Sequence, residues 1–332
     1  MSYQKVATTF WLLVFFLMVP LVQAQTPTLH IVTSLDPLEA KEYLKQFQAE
    51  TKIEVTTIRL SAGEVVARLK AEKNNPTQSI WFGGPSLDYI AATEGKLLEP
   101  YQSAATQKIP EKFRDFKNFW TGIYFGSLGF ITYKPFLEKK GLQPPSSWND
   151  LLEPIYKNEI AVALPYTSGT GFTLYAGLVQ LMGEEGALKY WQKFDQNMRH
   201  YTQSGSGPVL EVALGEVSAG IAFSQDIWRK ATSRGFPVLV SYPKEGTPYE
   251  IGAVAIIKGS KEKEAAQKFI DWIVSLKAQN KMHNWGRYPI LPGAITPKGL
   301  GGPTDVKLIE INPRLAEKRD LLLTRWRQTI KR

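Results

Sequence analysis

The chain has no cysteine, and only three of its 332 residues are histidine. Without cysteine there is no disulfide, no thiol nucleophile and no residue to carry a cysteine-linked lipid anchor. No Gly-x-Ser-x-Gly elbow and no paired metal-ligand motif occurs, which removes two common layouts of an exported hydrolase. His30, His200 and His283 are scattered and read as surface or packing residues. No metal site and no cofactor are expected. The net charge is +9, yet the basic residues are interspersed with acidic ones. No basic stripe with interleaved aromatics stands out, so a nucleic-acid partner is not expected. A positive field favours encounter with an anion but locates no site.

What is present begins with an export signal. Lys5 supplies a positive n-region, and Phe10 to Val22 is an apolar run too short for a comfortable membrane span. Val22-Gln23-Ala24 is a small-residue cleavage pattern ahead of Gln25. Residues 1–24 are therefore read as a signal peptide, cleaved near Ala24, and the mature chain as periplasmic. At about 300 residues it is long enough for two lobes.

From Leu29 strand and helix patterns alternate. Leu29 to Thr33, Ile53 to Leu60 and Ser79 to Phe82 read as strands, each followed by a helical pattern. Asp36-Pro37-Leu38-Glu39 offers an N-cap, a first-turn proline and a capping-box acid. Leu38, Tyr43, Leu44 and Phe47 mark that helix's buried face. Three such units in a row predict a parallel sheet covered on both faces, an α/β fold. The joins carry Ser34, Ser61-Ala62-Gly63 and Gly83-Gly84-Pro85. In open parallel sheets ligands bind at the carboxyl ends of strands, where such residues leave backbone N–H groups accessible. Taken singly, each serine serves equally well as a helix cap.

One stretch has the chemistry of an anion cradle. Ile160 to Leu164 reads as a buried strand, followed by Thr167-Ser168-Gly169-Thr170-Gly171 and a helical pattern from Phe172. A helix N-terminus offers unpaired N–H groups and the positive end of a dipole, and the hydroxyls add donors. Capping of the helix by Ser168 or Thr170 explains the same residues. The Ser204-Gly205-Ser206-Gly207 join repeats the pattern. Two long glycine-punctuated segments, Gly122 to Tyr133 with Ser127 and Thr247 to Ile257 with Glu250, read as strands crossing between lobes. Asp226 reads either as an N-cap of the Ile227–Ser233 helix or as a ligand contact, and Glu250 as a strand end or a ligand contact. The segment from Asp305 to Lys331 is expected to be one charged C-terminal helix.

These features in this order resemble the periplasmic solute-binding proteins of ABC importers, in the branch that takes ferric iron, hexose phosphates and phosphonates. The resemblance rests on Trp81-Phe82-Gly83-Gly84-Pro85, Leu97-Leu98-Glu99-Pro100-Tyr101, Ser147-Trp148-Asn149-Asp150-Leu151, Ser168-Gly169-Thr170-Gly171 and Tyr249-Glu250-Ile251-Gly252. It implies a two-lobed class II binding-protein fold with two hinge-crossing strands: lobe 1 from 27–126 plus 253–304, lobe 2 from 127–252, and 305–332 as the C-terminal helix. It also implies a membrane permease as partner and capture of a small anionic solute by a monomer, without catalysis. Ferric binders resemble one another in a consecutive tyrosine pair where this chain has Ser224-Gln225-Asp226, and the pair is missing here. Hexose-phosphate binders look similar at Gln225, Asp226 and Glu250, which would hold sugar hydroxyls. The phosphate would sit at Thr167 to Gly171, helped by Ser34, Ser61 to Gly63 and Ser204 to Ser206. A phosphorylated or phosphonate solute is thus expected, with ferric ion as the alternative.

Overall fold

The computed structural model describes residues 27–298 and 306–331; the expected signal peptide lies outside them. The first half runs β1 (Thr28–Thr33), α1 (Pro37–Thr51), β2 (Glu54–Arg59), α2 (Ala62–Ala71), β3 (Ile80–Pro85), α3 (Ser86–Glu94), β4 (Leu98–Glu99) and the long β5 (Thr121–Tyr133). It continues through α4 (Lys134–Lys140), β6 (Ile160–Ala163), α5 (Gly169–Asp195), β7 (Met198–Thr202), α6 (Gly207–Ala213), β8 (Ala219–Phe223), α7 (Ser224–Lys230) and β9 (Val238–Ser241). The return strand β10 (Thr247–Ile257) leads to α8 (Lys263–Ile273), α9 (Leu276–Gln279) and β11 (Tyr288–Pro289). The chain ends with β12 (Leu308–Ile309), α10 (Pro313–Glu317) and α11 (Arg319–Ile330). The expected single C-terminal helix is therefore two, broken at Lys318, whose backbone is not helical.

The strand order is β2-β1-β3-β10-β5-β8-β6-β7. β1 pairs in parallel with β2 and β3, and β6 with β7 and β8. The two long strands run antiparallel to each other, β10 also to β3 and β5 also to β8, so the sheet is mixed rather than all-parallel. β5 pairs with β10 up to Ser127 and with β8 from Leu128 onward. One strand thus serves both sheets, and this ties the two lobes together.

Each sheet is covered on both faces because its strands are apolar at successive positions. In the first lobe Ile31 and Phe82 join Phe47 and Phe269 on one face. Their neighbours Val32 and Trp81 join Val65, Leu69 and Tyr89 on the other. Phe269 meets Phe47 and Phe82 edge-on at 5.1 and 5.2 Å, and truncating so buried a ring costs about 3–5 kcal/mol. In the second lobe Val162, Phe172, Trp191 and Trp326 form one core and Ala161, Val212 and Ile227 the other. The C-terminal α11 completes the first of these.

Two local expectations change. Leu38 is 64% exposed and takes no part in the core. Glu39 does not close a capping box on α1: Asp36 caps the helix by accepting from the Leu38 N–H at 3.0 Å, and Glu39 is fully buried. Its partner is described below.

Candidate functional site

A polar cleft of about 250 Å³ opens between the lobes. Its walls are the joins that follow β1, β2, β3, β6, β7 and β8, the carboxyl ends of the parallel strands, as the topology requires. Of the residues singled out by sequence, Ser34, Ser61, Gly84, Ser168, Gly169, Thr170, Ser204, Ser206, Asp226 and Glu250 line it together.

The other five lie off its wall. Gly63 packs under the Tyr166 and Thr167 carbonyls, where a Cβ would come within 2.5 Å of an oxygen. Gly83 has φ +83°, and a Cβ there would strike Leu35. Ser127 is buried within β5 opposite Tyr249. The Thr167 hydroxyl is spent on the Gln203 carbonyl at 3.3 Å. Gln225 is 1% exposed and donates to Glu250 Oε1 at 2.5 Å, so it stands behind that carboxylate.

The donor end is built on the start of α5. Ser168 caps the helix, its Oγ accepting from the Gly171 N–H at 3.4 Å, so the cap and the cleft wall are the same residue. The loop 204–206 lies directly on this turn. A Cβ on Gly205 would stand 1.9 Å from Thr170 Oγ1, so only glycine fits. Two cations, missed by the sequence reading, complete this end. Arg59 at the end of β2 donates to Ser61 Oγ and to Ser204 Oγ, each at 3.2 Å. Lys230 at the end of α7 donates to Ser206 Oγ at 2.7 Å. Neither has an ion-pair partner among the described residues. Burial lowers the Lys230 pKa, against the raising pull of Asp226 and Asp36.

The adjoining part of the wall holds carboxylates that share two arginines. Arg229 lies between Asp36 at 2.9 Å and Asp226 at 3.1 Å. Burial opposes ionisation of Asp36, but Arg229, the Leu38 N–H and Lys230 outweigh it and hold Asp36 below its ordinary value. Behind them Arg287 pairs with Glu39 at 2.5 and 2.9 Å, reaches Glu250 at 3.7 Å, and stacks 4.0 Å from the Tyr124 ring. Glu250 is 3% exposed. Burial pushes its pKa up to about 8, with the Asp226 and Glu39 charges adding to the rise and Arg287 and the Gln225 amide opposing it. Neither simpler alternative for the two acids survives. α7 starts at Ser224, with no side-chain cap at the preceding Phe223, which puts Asp226 inside its first turn, and Glu250 is no exposed strand end.

Arg59, Arg229 and Lys230 could have been sought by asking which long cations stand at strand and helix ends facing the cleft. Arg287 carried no local signal, since it sits in an irregular stretch after Gly286 and meets Glu39 across 248 positions.

The histidines do not meet in the cleft. His30 pairs with Glu262, His200 with Glu211, and His283 Nδ1 lies 2.5 Å from the Asn280 carbonyl. Among the described residues no group of three histidine, aspartate or glutamate side chains is placed to hold a metal.

Comparison with known proteins puts this geometry in context. The family described as bacterial extracellular solute-binding protein matches residues 42–303. The periplasmic binding protein AfuA from Actinobacillus pleuropneumoniae, solved with exogenous fructose-6-phosphate bound, superposes with a TM-score of 0.88. It is 32% identical, over 92% of this chain and 99% of its own. A putative 2-aminoethylphosphonate-binding periplasmic protein of Salmonella typhi is 26% identical, over 78% of this chain and 77% of its own. Iron uptake protein A1 of Synechocystis is also 26% identical, over 83% of this chain and 80% of its own. Such relatives work with a membrane permease on a small-molecule ligand and are not enzymes. The chain belongs to the bacterial extracellular solute-binding proteins, the two-lobed periplasmic substrate-binding components of ABC importers.

Proposed function

We propose that the cleft captures a small phosphorylated or phosphonate organic solute, sugar-phosphate-like in character. The observation that carries this reading is the asymmetry of the two ends. Arg59 and Lys230 approach the 204–206 loop from different elements and end on serine hydroxyls, with no carboxylate paired to either. A phosphoryl group brings the missing negative charge and several acceptor oxygens, and charge-assisted hydrogen bonds are the strong ones. Its place is at Ser168, Gly169 and Thr170, with Ser34, Ser61, Ser204 and Ser206 around it. The organic part then faces Asp226 and Glu250, which suit hydroxyl donors. The fructose-6-phosphate bound to AfuA and the phosphonate named for the Salmonella relative support this chemistry.

The Synechocystis relative favours iron instead. Against that, the cleft-lining tyrosine, Tyr124, accepts from the Gly84 N–H at 3.2 Å, and burial pushes its pKa well above the ordinary value. A phenol so placed is a poor phenolate donor for Fe³⁺.

The rest of the proposal concerns the working cycle. The chain is exported by cleavage near Ala24 and acts as a monomer. Lobe 1, 27–126 plus 253–304, closes on lobe 2, 127–252, about β5 and β10. Native mass spectrometry of the protein as purified, with phosphorus NMR of the released solute, tests the ligand class. A co-purified small mass containing phosphorus is expected. Protein that instead carries iron, with a visible charge-transfer band, would overturn the reading.

A further inference from the structure

Direct bonds between protein groups cross the cleft, and one of them pairs opposite charges. Asp36 stands in the join between β1 and α1, beside the sheet of β2, β1 and β3. Arg229 stands on α7, directly after β8 of the other sheet. The guanidinium enters a socket on the far wall, 2.9 Å from the Asp36 carboxylate and 6.0 Å from the centre of the Trp285 ring. A carboxylate and an aromatic face together suit a planar guanidinium.

Both sides of this contact are held in place beforehand. Asp36 is fixed by capping α1, and the Trp285 indole N–H donates to Glu42 of the same helix at 3.0 Å. Arg229 is steadied on its own helix by Asp226 at 3.1 Å. The Arg229 and Asp36 side chains are only 9% and 15% exposed. Arg59 to Ser204, Ser61 to the Gln203 carbonyl and the Glu64 N–H to the Thr167 carbonyl also cross the cleft, each with at least one uncharged partner. Parting the walls draws Arg229 away from Asp36 and Trp285 but leaves it with Asp226. Every group of the socket belongs to the chain, and a contact made only in the closed state favours that state whatever the cleft contains.

We propose that Arg229 is a latch: by entering the Asp36–Trp285 socket it holds the cleft closed independently of solute, so that the solute-free protein is largely closed. This rests on the closure of the two lobes proposed above. Solute enters and leaves only when the latch opens, so the pair slows capture and release together.

The absence of cysteine allows spin labels to be placed at chosen sites alone. Lys45→Cys on α1 and Glu216→Cys beyond α6 are exposed positions on the two sides of the cleft. Double electron–electron resonance is measured on the mature chain refolded from urea to strip bound solute. The closed distance should dominate, and Asp36→Asn should lower the closed-to-open ratio by about tenfold, the lower end for a close charge pair across an interface. Asparagine caps a helix as well as aspartate, so α1 keeps its start. In an Arg229→Met background Asp36→Asn should add little, because the pair is already broken. Fructose 6-phosphate should restore the short distance in Asp36→Asn. An unchanged distribution in Asp36→Asn, in protein whose distance fructose 6-phosphate still shortens, would overturn the latch and leave closure standing. A distance moved by neither would overturn both.

Discussion

At one end of the cleft Arg59 and Lys230 finish on serine hydroxyls; at the other, Asp36 and Asp226 share Arg229, and Glu39 and Glu250 share Arg287. Both ends are polar and partly buried, and both carry cations. The difference is whether the charges are already matched. An anion entering the first end finds donors that lack a counter-charge. A group entering the second meets carboxylates that already hold arginines, where a neutral hydroxyl costs little and a second cation must compete with Arg229 for Asp226. On this account the anionic end of the solute provides affinity, and the hydroxyl-bearing end provides selectivity.

The largest effect should come from breaking the balanced end. Arg287→Met leaves Glu39 buried without its cation, and loss of one partner of a buried pair costs about 3–5 kcal/mol. Urea unfolding should show that loss, with partial recovery in Arg287→Met/Glu39→Gln. At the donor end Lys230→Met should cost little stability, because no buried carboxylate is orphaned there. Equal losses from the two changes would erase the distinction.

The balanced end also has a pH signature. Glu250 titrates at about 8 in the folded chain against an ordinary 4.5. The folded state therefore binds the extra proton between these values. The associated stability is complete below about pH 4.5 and is lost as pH rises to about 8, by at most about 1.4 kcal/mol per unit. Urea midpoints measured from pH 5 to 8 should fall more steeply in the wild type than in Glu250→Gln. Parallel lines would mean that Glu250 is ionised throughout.

The donor end is sharpened by affinity rather than stability. Lys230→Met should weaken a hexose phosphate by about 1.5–3 kcal/mol, the range for a hydrogen bond to a charged group. The effect should be of similar size for every phosphorylated ligand, since the lysine touches only the phosphoryl group in this scheme.

Much of this was legible in the chain because it is locally encoded. Asp36-Pro37 and Ser168 announce helix starts by capping chemistry. Small residues at strand ends marked the cleft rim, and ten of the fifteen chosen positions line it. The remainder depended on contacts distant in sequence. Gly63 and Gly83 are glycines for close packing, not for ligand access, and a glycine in sequence does not reveal which. Glu39 at a helix start looks like a capping acid until Arg287 is found beside it. Arg59 and Lys230 were hidden for a related reason: a charged residue at the end of an element is usually a solvated one, and only the fold turns these two inward.

The central claim is that the unmatched cations and the hydroxyls divide the solute between a phosphoryl end and a hydroxyl end. Titration calorimetry with fructose 6-phosphate, fructose, inorganic phosphate, 2-aminoethylphosphonate and Fe³⁺, on the wild type and on Asp226→Asn, tests it most directly. The account predicts that fructose 6-phosphate binds most tightly, phosphate weakly and fructose not measurably, and that Asp226→Asn reorders the sugar phosphate and the aminophosphonate without changing phosphate. Tight binding of Fe³⁺ with none of the phosphorylated compounds, or an order untouched by Asp226→Asn, would contradict it.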